Sequence, residues 1–415
     1  MTIQTKRVLL VEPGFPISKK SKNHKNFLPI GLLKIASLLK KNGIEVKFTR
    51  CYANGSFLAD SEVIDFDPDE VWVTSSFTYW AEYVKSSVEY YKQLLPNAKV
   101  IVGGIYASLM PEHCKHYTGC DEIHIGLLEE AETCHPDYSL VKEANHIPID
   151  YQIIHASRGC ARKCSFCGTW EIEPNFVPKK SILEEITAKK LIFYDNNFLH
   201  NPYVEDILGE LCELKQKKQL FWCECQSGLD GRILLEKPYL GKMLKNAGFR
   251  YPRIAWDWEY KHHTSIKKQL DILLDSGYNK KDIYIFMIYN WKFNFSEMEK
   301  KRISCWDWKI QIADCRYRPL NQVFDNYNPR VSKQTADEYF IGEEYGWSDD
   351  LVRIFRKNIR RQNICIRQQM PFYSRVLENM AIPKSVIQEG KLLPNIDDQI
   401  TFFNKLKGNC WIPDR

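Results

Sequence analysis

Through the first 135 residues, apolar runs of strand length alternate with apolar residues at helical spacing. This pattern predicts an open, mostly parallel sheet covered by helices. Arg7-Val-Leu-Leu-Val11 reads as a buried strand. A helix is expected over Pro29 to Lys40, closing on Asn42-Gly43 because glycine readily takes the left-handed conformation that ends a helix. Further strands are expected at Glu45–Thr49, Glu70–Thr74 with Ser75 and Ser76 after it, Ala98–Val102 running into Gly103-Gly104, and Glu122–Ile125 running into Gly126. Ligands of such sheets gather beyond the carboxyl ends of the strands, which is where Ser75, Gly103, Gly104 and Gly126 fall.

After a first domain at 1–135, residues 136–150 carry Pro, Asn and mixed charge without periodicity and read as a linker. A second domain, 151–320, holds six further strand candidates: Ile153–Ala156, Leu191–Tyr194, Phe221–Glu224, Arg253–Trp256, Ile283–Ile288 and Lys309–Ile312. Helical patterns lie between most of them. From 321 to 415 the pattern is helical, and this small region is expected to cap the second domain. Arg353, Arg356, Lys357, Arg360, Arg361 and Arg367 lie along one predicted helix and read as a solvated face.

Composition changes this picture little. The 415 residues are 44% hydrophobic, which suits a globular chain of two or three domains. A net charge of +6 permits an acidic partner without arguing for one, and a nucleic-acid partner is not expected. No apolar run reaches the roughly 18 residues of a membrane span, and Met1 to Arg7 lead into a strand without a signal-peptide layout. A cytoplasmic location is therefore expected, where most of the 14 cysteines stay as thiols.

Three of those cysteines change the picture a great deal. Cys160, Cys164 and Cys167 lie within eight residues, in Ser157-Arg-Gly-Cys-Ala-Arg-Lys-Cys-Ser-Phe-Cys-Gly-Thr-Trp170, just after a short apolar strand. A structural zinc site closes on four ligands, whereas three thiolates leave one metal of a cubane cluster open to a non-protein ligand. Gly159 and Gly168 let the loop wrap closely.

This C-x3-C-x2-C segment resembles the radical S-adenosylmethionine (SAM) superfamily. The resemblance implies a [4Fe–4S] cluster on Cys160, Cys164 and Cys167, with SAM on the fourth iron and Phe166 near the adenine. The six strand units match that superfamily's open (β/α)6 barrel, a partial TIM barrel, so the other strand ends are expected to hold SAM. They offer Asp195, Asn196 and Asn197, then Ser227 and Asp230, then Asp257. At each place a simpler role competes: Asp195 as a helix cap, Trp256 and Trp258 as core. Arg316 and Arg318 at the sixth strand end are candidate substrate or SAM contacts.

The first domain resembles the cobalamin (B12)-binding-type, doubly wound Rossmann-like domain that precedes many such barrels. Val11 to Pro16, Pro29-x-Gly31-Leu-Leu, the Val102-Gly103-Gly104-Ile-Tyr-Ala107 turn and Gly126 to Glu130 carry that likeness. It lacks an Asp-x-His-x-x-Gly segment, and Gly126-Leu-Leu-Glu129 stands where relatives have Gly-Glu-x-Glu. Cobalamin binding at Ser75, Gly103, Gly104 and Gly126, and a docking domain that keeps the fold alone, both stay open. The function implied is cleavage of SAM to a 5′-deoxyadenosyl radical that modifies an unactivated carbon, fed by an electron donor such as a flavodoxin or ferredoxin. C-methylation follows if cobalamin is bound; rearrangement or cyclisation follows without it. A non-catalytic metal- or cobalamin-binding protein is the reading from another class.

Overall fold

The computed structural model describes residues 5–16, 28–51, 58–141 and 149–369, and the backbone alone at 52, 55–56, 373–374 and 410–411. Its first sheet runs through β1 (Arg7–Glu12), β2 (Glu45–Tyr52), β3 (Glu70–Ser75), β4 (Lys99–Gly104) and β5 (Glu122–Ile123). All are parallel in the order β2-β1-β3-β4-β5, with Gly55–Ser56 pairing antiparallel to the outer edge of β2. The direction of growth reverses at β1, so the carboxyl ends of β1 and β3 flank a topological switch point.

The apolar run of β1 is explained by cover on both sides. Val8 to Val11 are fully buried. Successive side chains point to opposite faces, so Leu9 and Val11 pack with Val84, Val88 and Tyr91 of the helix Ala81–Leu94. Val8 and Leu10 pack with Leu32, Leu33 and Ala36 of the helix Ile30–Lys41. That second core also takes in Ile149 and Ile153, so the two halves of the chain share apolar contact. The first helix ends as expected, with Gly43 at φ +75° donating to Lys40 O.

Six strands of the second half form its main ladders: β6 (Gln152–Ile154), β7 (Lys190–Phe193), β8 (Trp222–Cys225), β9 (Arg253–Ala255), β10 (Tyr284–Tyr289) and β11 (Gln311–Arg316). β6-β7-β8 and β9-β10-β11 are parallel ladders, joined by parallel bridges Cys223–Phe249 and Leu229–Ile254. The result is an open arc of strands in chain order. Where the backbone ladder thins, a buried ion pair takes over: Arg253 reaches Glu224 at 2.6 Å and donates to Cys225 O at 2.8 Å. The free edge of β11 is closed by the Asn363 side chain, which accepts from Ile312 N and donates to Ile312 O.

The C-terminal expectation needs correction. Residues 321–348 form turns with one short 3-10 turn, Glu343–Tyr345; the helix is confined to Asp349–Arg367, and the expectation for the chain beyond lies outside the described residues. Pro329, Gly342 and Gly346 interrupt the helical pattern, while Tyr339 and Trp347 are drawn into the barrel core. The basic helix is also only partly solvated. Arg361 is buried and Arg356 lies over the Tyr327 ring, whereas Lys357, Arg360 and Arg367 face solvent.

Candidate functional site

The loop after β6 is built to be rigid before any ligand is considered. Glu173 clamps it, accepting from Arg158 at 2.7 Å and from Gly159 N at 2.7 Å, and Arg158 also meets His155 at 2.7 Å. Gly159 takes φ +73°, and a Cβ there would lie 2.1 Å from Asn175 O, so only glycine fits. The loop then presents Cys160, Cys164 and Cys167 to one cavity of about 490 Å³. Arg162 N points at Cys160 Sγ, and Cys167 Sγ lies 3.2 Å from the Thr169 hydroxyl. Burial raises the Cys160 and Cys164 thiols above the ordinary cysteine range, so loading a metal there releases protons.

Phe166, Asn196, Asn197, Ser227, Asp230 and Asp257 line the same cavity, brought from four strand ends. Asp195 does not. It is fully buried, and its carboxylate accepts from Ala156 N at 3.0 Å and from the Ser157 hydroxyl at 2.7 Å. Asp195, one of the strand-end residues expected to hold SAM, is thus a brace beneath the cysteine loop, and it caps no helix. Asp230 lines the cavity but is already engaged. It caps the helix Gly231–Glu236 and pairs with Arg232 at 2.9 Å and Arg162 at 2.9 Å. Burial alone would raise its pKa, yet Arg232 and Arg162 outweigh that and hold it below the usual carboxylate range. Asp257 is different: among the described residues its carboxylate has no hydrogen bond or ion pair, and burial pushes its pKa up to about 6. Trp256 is core, stacked on Trp308, while Trp258 lines the cavity under the Arg232 guanidinium. Arg162, Arg232 and Thr169 gave no signal in the sequence, because nothing local marks which surface arginine folds over a cavity.

A second cavity, about 240 Å³, lies between the two halves. The loops after β3 and β4 supply Phe77, Tyr79, Ile105 and Leu109, facing Phe166, Cys315, Tyr317 and Leu320. Phe166 belongs to both cavities. Contact between the halves is close: a Cβ on Gly168 would sit 3.0 Å from both Leu109 methyls, and Arg318 lies 4.5 Å over the Tyr79 ring. Arg316 and Arg318 line this cavity as well, paired with Asp325 at 2.6 Å and 2.5 Å.

The first sheet brings Ser75 and Gly104 into register at its carboxyl end. Both are spent on packing. Ser75 donates to Gly103 O and accepts from Ala107 N, and a Cβ on Gly104, at φ +99°, would lie 2.2 Å from Ser75 O. Gly104→Ala is accordingly expected to lower stability by about 2 kcal/mol or more, read as a fall in unfolding midpoint. Gly103 packs on His124, whereas a Cβ on Gly126, at φ +79°, would make only an ordinary contact with Ile172 O at 3.8 Å.

These residues fit the groups that the cysteine motif and the sheet imply. Cys160, Cys164 and Cys167 all line one cavity of about 490 Å³. At the first sheet's end, Phe77, Ile105 and Ile125 are 38%, 41% and 59% exposed, an apolar platform suited to a flat macrocycle. His124 Nε2 is buried beside it without a hydrogen-bond partner among the described residues.

Fold and cysteine loop together resemble those of radical SAM proteins that carry an N-terminal B12-binding domain. Residues 24–133 match the B12 binding domain family model. The chain is similar in fold to the radical S-adenosylmethionine methyltransferase TsrM from Kitasatospora setae. In the structure with cobalamin and a [4Fe-4S] cluster, identity is 13% and the TM-score 0.56, covering 77% of this chain and 74% of that one. In the structure with tryptophan substrate and a SAM analog, the TM-score is 0.55 at 13% identity, covering 76% and 75%. Cytidylyl-2-hydroxyethylphosphonate methyltransferase from Streptomyces wedmorensis is 26% identical over 144 residues. That match spans 30% of this chain and 27% of the methyltransferase, so the chain covers about a quarter of that relative's length.

Proposed function

We propose that this protein is a cobalamin-dependent radical SAM enzyme that transfers a methyl group to an unactivated carbon of a small substrate. One observation carries the reading: the Phe166 ring is a common wall of the cavity holding the three thiols and the cavity beneath the B12-type sheet end. When bound, the cluster and SAM supply one-electron chemistry and the corrinoid a methyl carrier.

The chain's own residues do the rest. Cys160, Cys164 and Cys167 hold the cluster, and Asn196, Asn197, Ser227 and Asp257 offer polar contacts to SAM. Phe166, Trp291 and Tyr317 form a run of aromatic contacts, 5.8 Å and 4.8 Å between centroids, that keeps water from the space between the cavities. Phe77, Ile105, Ile125 and Gly126 form the corrin platform. A one-electron donor of the flavodoxin or ferredoxin kind completes the set.

Hydroxocobalamin titration of anaerobically reconstituted protein tests this. A stoichiometric absorbance change is expected, and Ile105→Glu should weaken it at least tenfold by placing a charge on the apolar platform. No change at high excess would make the first domain a scaffold and leave rearrangement or cyclisation as the chemistry.

A further inference from the structure

Two arginines at the carboxyl end of β11 carry a charge that the fold does not fully absorb. The cavity between the two halves is walled mostly by apolar side chains, among them Phe77, Ile105, Leu109, Phe166 and Leu320. Among the described residues Arg316 and Arg318 are its only charged lining side chains, and no Asp or Glu reaches its wall. Behind them stands one carboxylate. Arg316 Nη2 donates to both oxygens of Asp325 at 2.6 Å, and Arg318 Nε donates to Oδ2 at 2.5 Å. Asp325 is the only acid within ion-pair distance of either guanidinium among the described residues. Two cations on one anion leave this group with a net charge of +1, beside walls that offer it little solvation.

The two arginines are held differently. Arg316 is enclosed: its side chain is 5% exposed, and its guanidinium lies 4.5 Å from the Tyr327 ring centroid and 5.0 Å from that of Tyr339. Arg318 is oriented but not saturated. Its side chain is 30% exposed, its Nη1 donates to Arg316 O at 3.3 Å, and its Nη2 has no hydrogen-bond partner among the described residues. Tyr79, from the loop after β3, covers the guanidinium at 4.5 Å. The ring over its face and the carboxylate on Nε fix the plane of the fork, which leaves Nη2 as a placed donor for an oxyanion. Tyr79 belongs to the first half of the chain and Asp325 to the second, so this arrangement exists only where the halves meet.

We propose that Arg318, oriented by Asp325 and Tyr79 and backed by the charge of Arg316, binds a carboxylate of the methyl acceptor, which is therefore a small acid with an apolar body. Its role as a substrate anchor rests on the methyltransferase reading; the anion site itself does not. One negative charge balances the +1 group, which favours a carboxylate over a phosphate or phosphonate carrying nearly two. The apolar walls take the rest of the molecule. Phe166, shared with the cavity of the three thiols, then lies beside that body.

The test titrates three probes into reconstituted full-length protein and reads binding by calorimetry: hexanoate, hexanamide and hexylphosphonate at pH 8. Hexanoate is expected to bind at least tenfold more tightly than hexanamide, which has the same body without the charge, and more tightly than hexylphosphonate. Arg318→Gln should weaken hexanoate about tenfold and leave hexanamide unchanged, with an unfolding midpoint near the parent's because the side chain is partly exposed. Arg318→Lys keeps the charge without the fork and should fall between. Asp325→Asn raises the group to +2 and should turn the preference toward hexylphosphonate. Equal affinities for hexanoate and hexanamide in the parent, a comparison that needs no variant, overturn the proposal, as does parent-like hexanoate binding in Arg318→Gln. A parent that prefers hexylphosphonate overturns the carboxylate. A parent that takes up neither iron nor hydroxocobalamin yet still prefers hexanoate overturns the methyltransferase reading and leaves an acid-binding site.

Discussion

Replacing any one of Cys160, Cys164 and Cys167 by alanine is expected to abolish the iron-sulfur chromophore and SAM cleavage while leaving the protein folded. Three thiols share one cavity, so losing one leaves two ligands, too few to hold a cluster whose open iron must still face SAM. The fold survives because the loop is held by other means: the Glu173 clamp on Arg158 and Gly159, and the Ser157–Arg158 pairing with Val177–Pro178. Iron and sulfide analysis after anaerobic reconstitution, with a thermal melt of the unloaded protein, checks both halves. Cys223→Ala is the control, since that thiol is buried in the barrel core. A cysteine-loop variant with full iron content would remove that thiol from the ligand set.

Asp195→Ala is expected to be the most damaging change outside the cysteines. Two donors, Ala156 N and the Ser157 hydroxyl, end on a carboxylate with no exposed surface. Leaving each unsatisfied costs about 1–3 kcal/mol. The loss should appear in chemical unfolding and carry the cluster with it, because the braced residues lead directly into the cysteine loop. Asp195→Asn keeps an acceptor and should be milder. The pH dependence has a definite sign. Burial raises the Asp195 pKa to about 6, against the bonds from Ala156 and Ser157. An acid raised on folding contributes stability that is full below its unfolded pKa, about 4, and is lost as pH rises through the folded value. The parent's stability should therefore decline between those limits, and Asp195→Asn should flatten that decline. An alanine variant with parent-like stability and normal iron content would refute the brace.

The strands were legible because each is a local apolar run. All six barrel strands and the five of the first sheet begin within two residues of their expected starts, since burial in a parallel sheet demands continuous apolar sequence. The cysteine loop was legible for the same reason of locality. The region after 320 was not: its helical pattern is broken by Pro329, Gly342 and Gly346, and the side chains that decide its course, Tyr339 and Trp347, are fixed by a core contributed from elsewhere.

The amino-acid pattern alone thus placed the five strands of the first sheet and the six of the barrel along the chain, and the three thiols after β6, since these depend on near neighbours; it did not give the order of the strands in the sheet, nor the short pairings of Gly55–Ser56 and of Ser157–Arg158 with Val177–Pro178. Tertiary structure alone decided which acids at the strand ends remain free. Asp195 is claimed by Ala156, 39 residues away, and Asp230 by Arg162, 68 residues away. Asp257 is left on the cavity wall, with no hydrogen bond or ion pair among the described residues. A carboxylate's role follows from which donors the fold brings within about 3 Å of it, and donors so distant in sequence are set by the packing of whole elements, which no local pattern encodes.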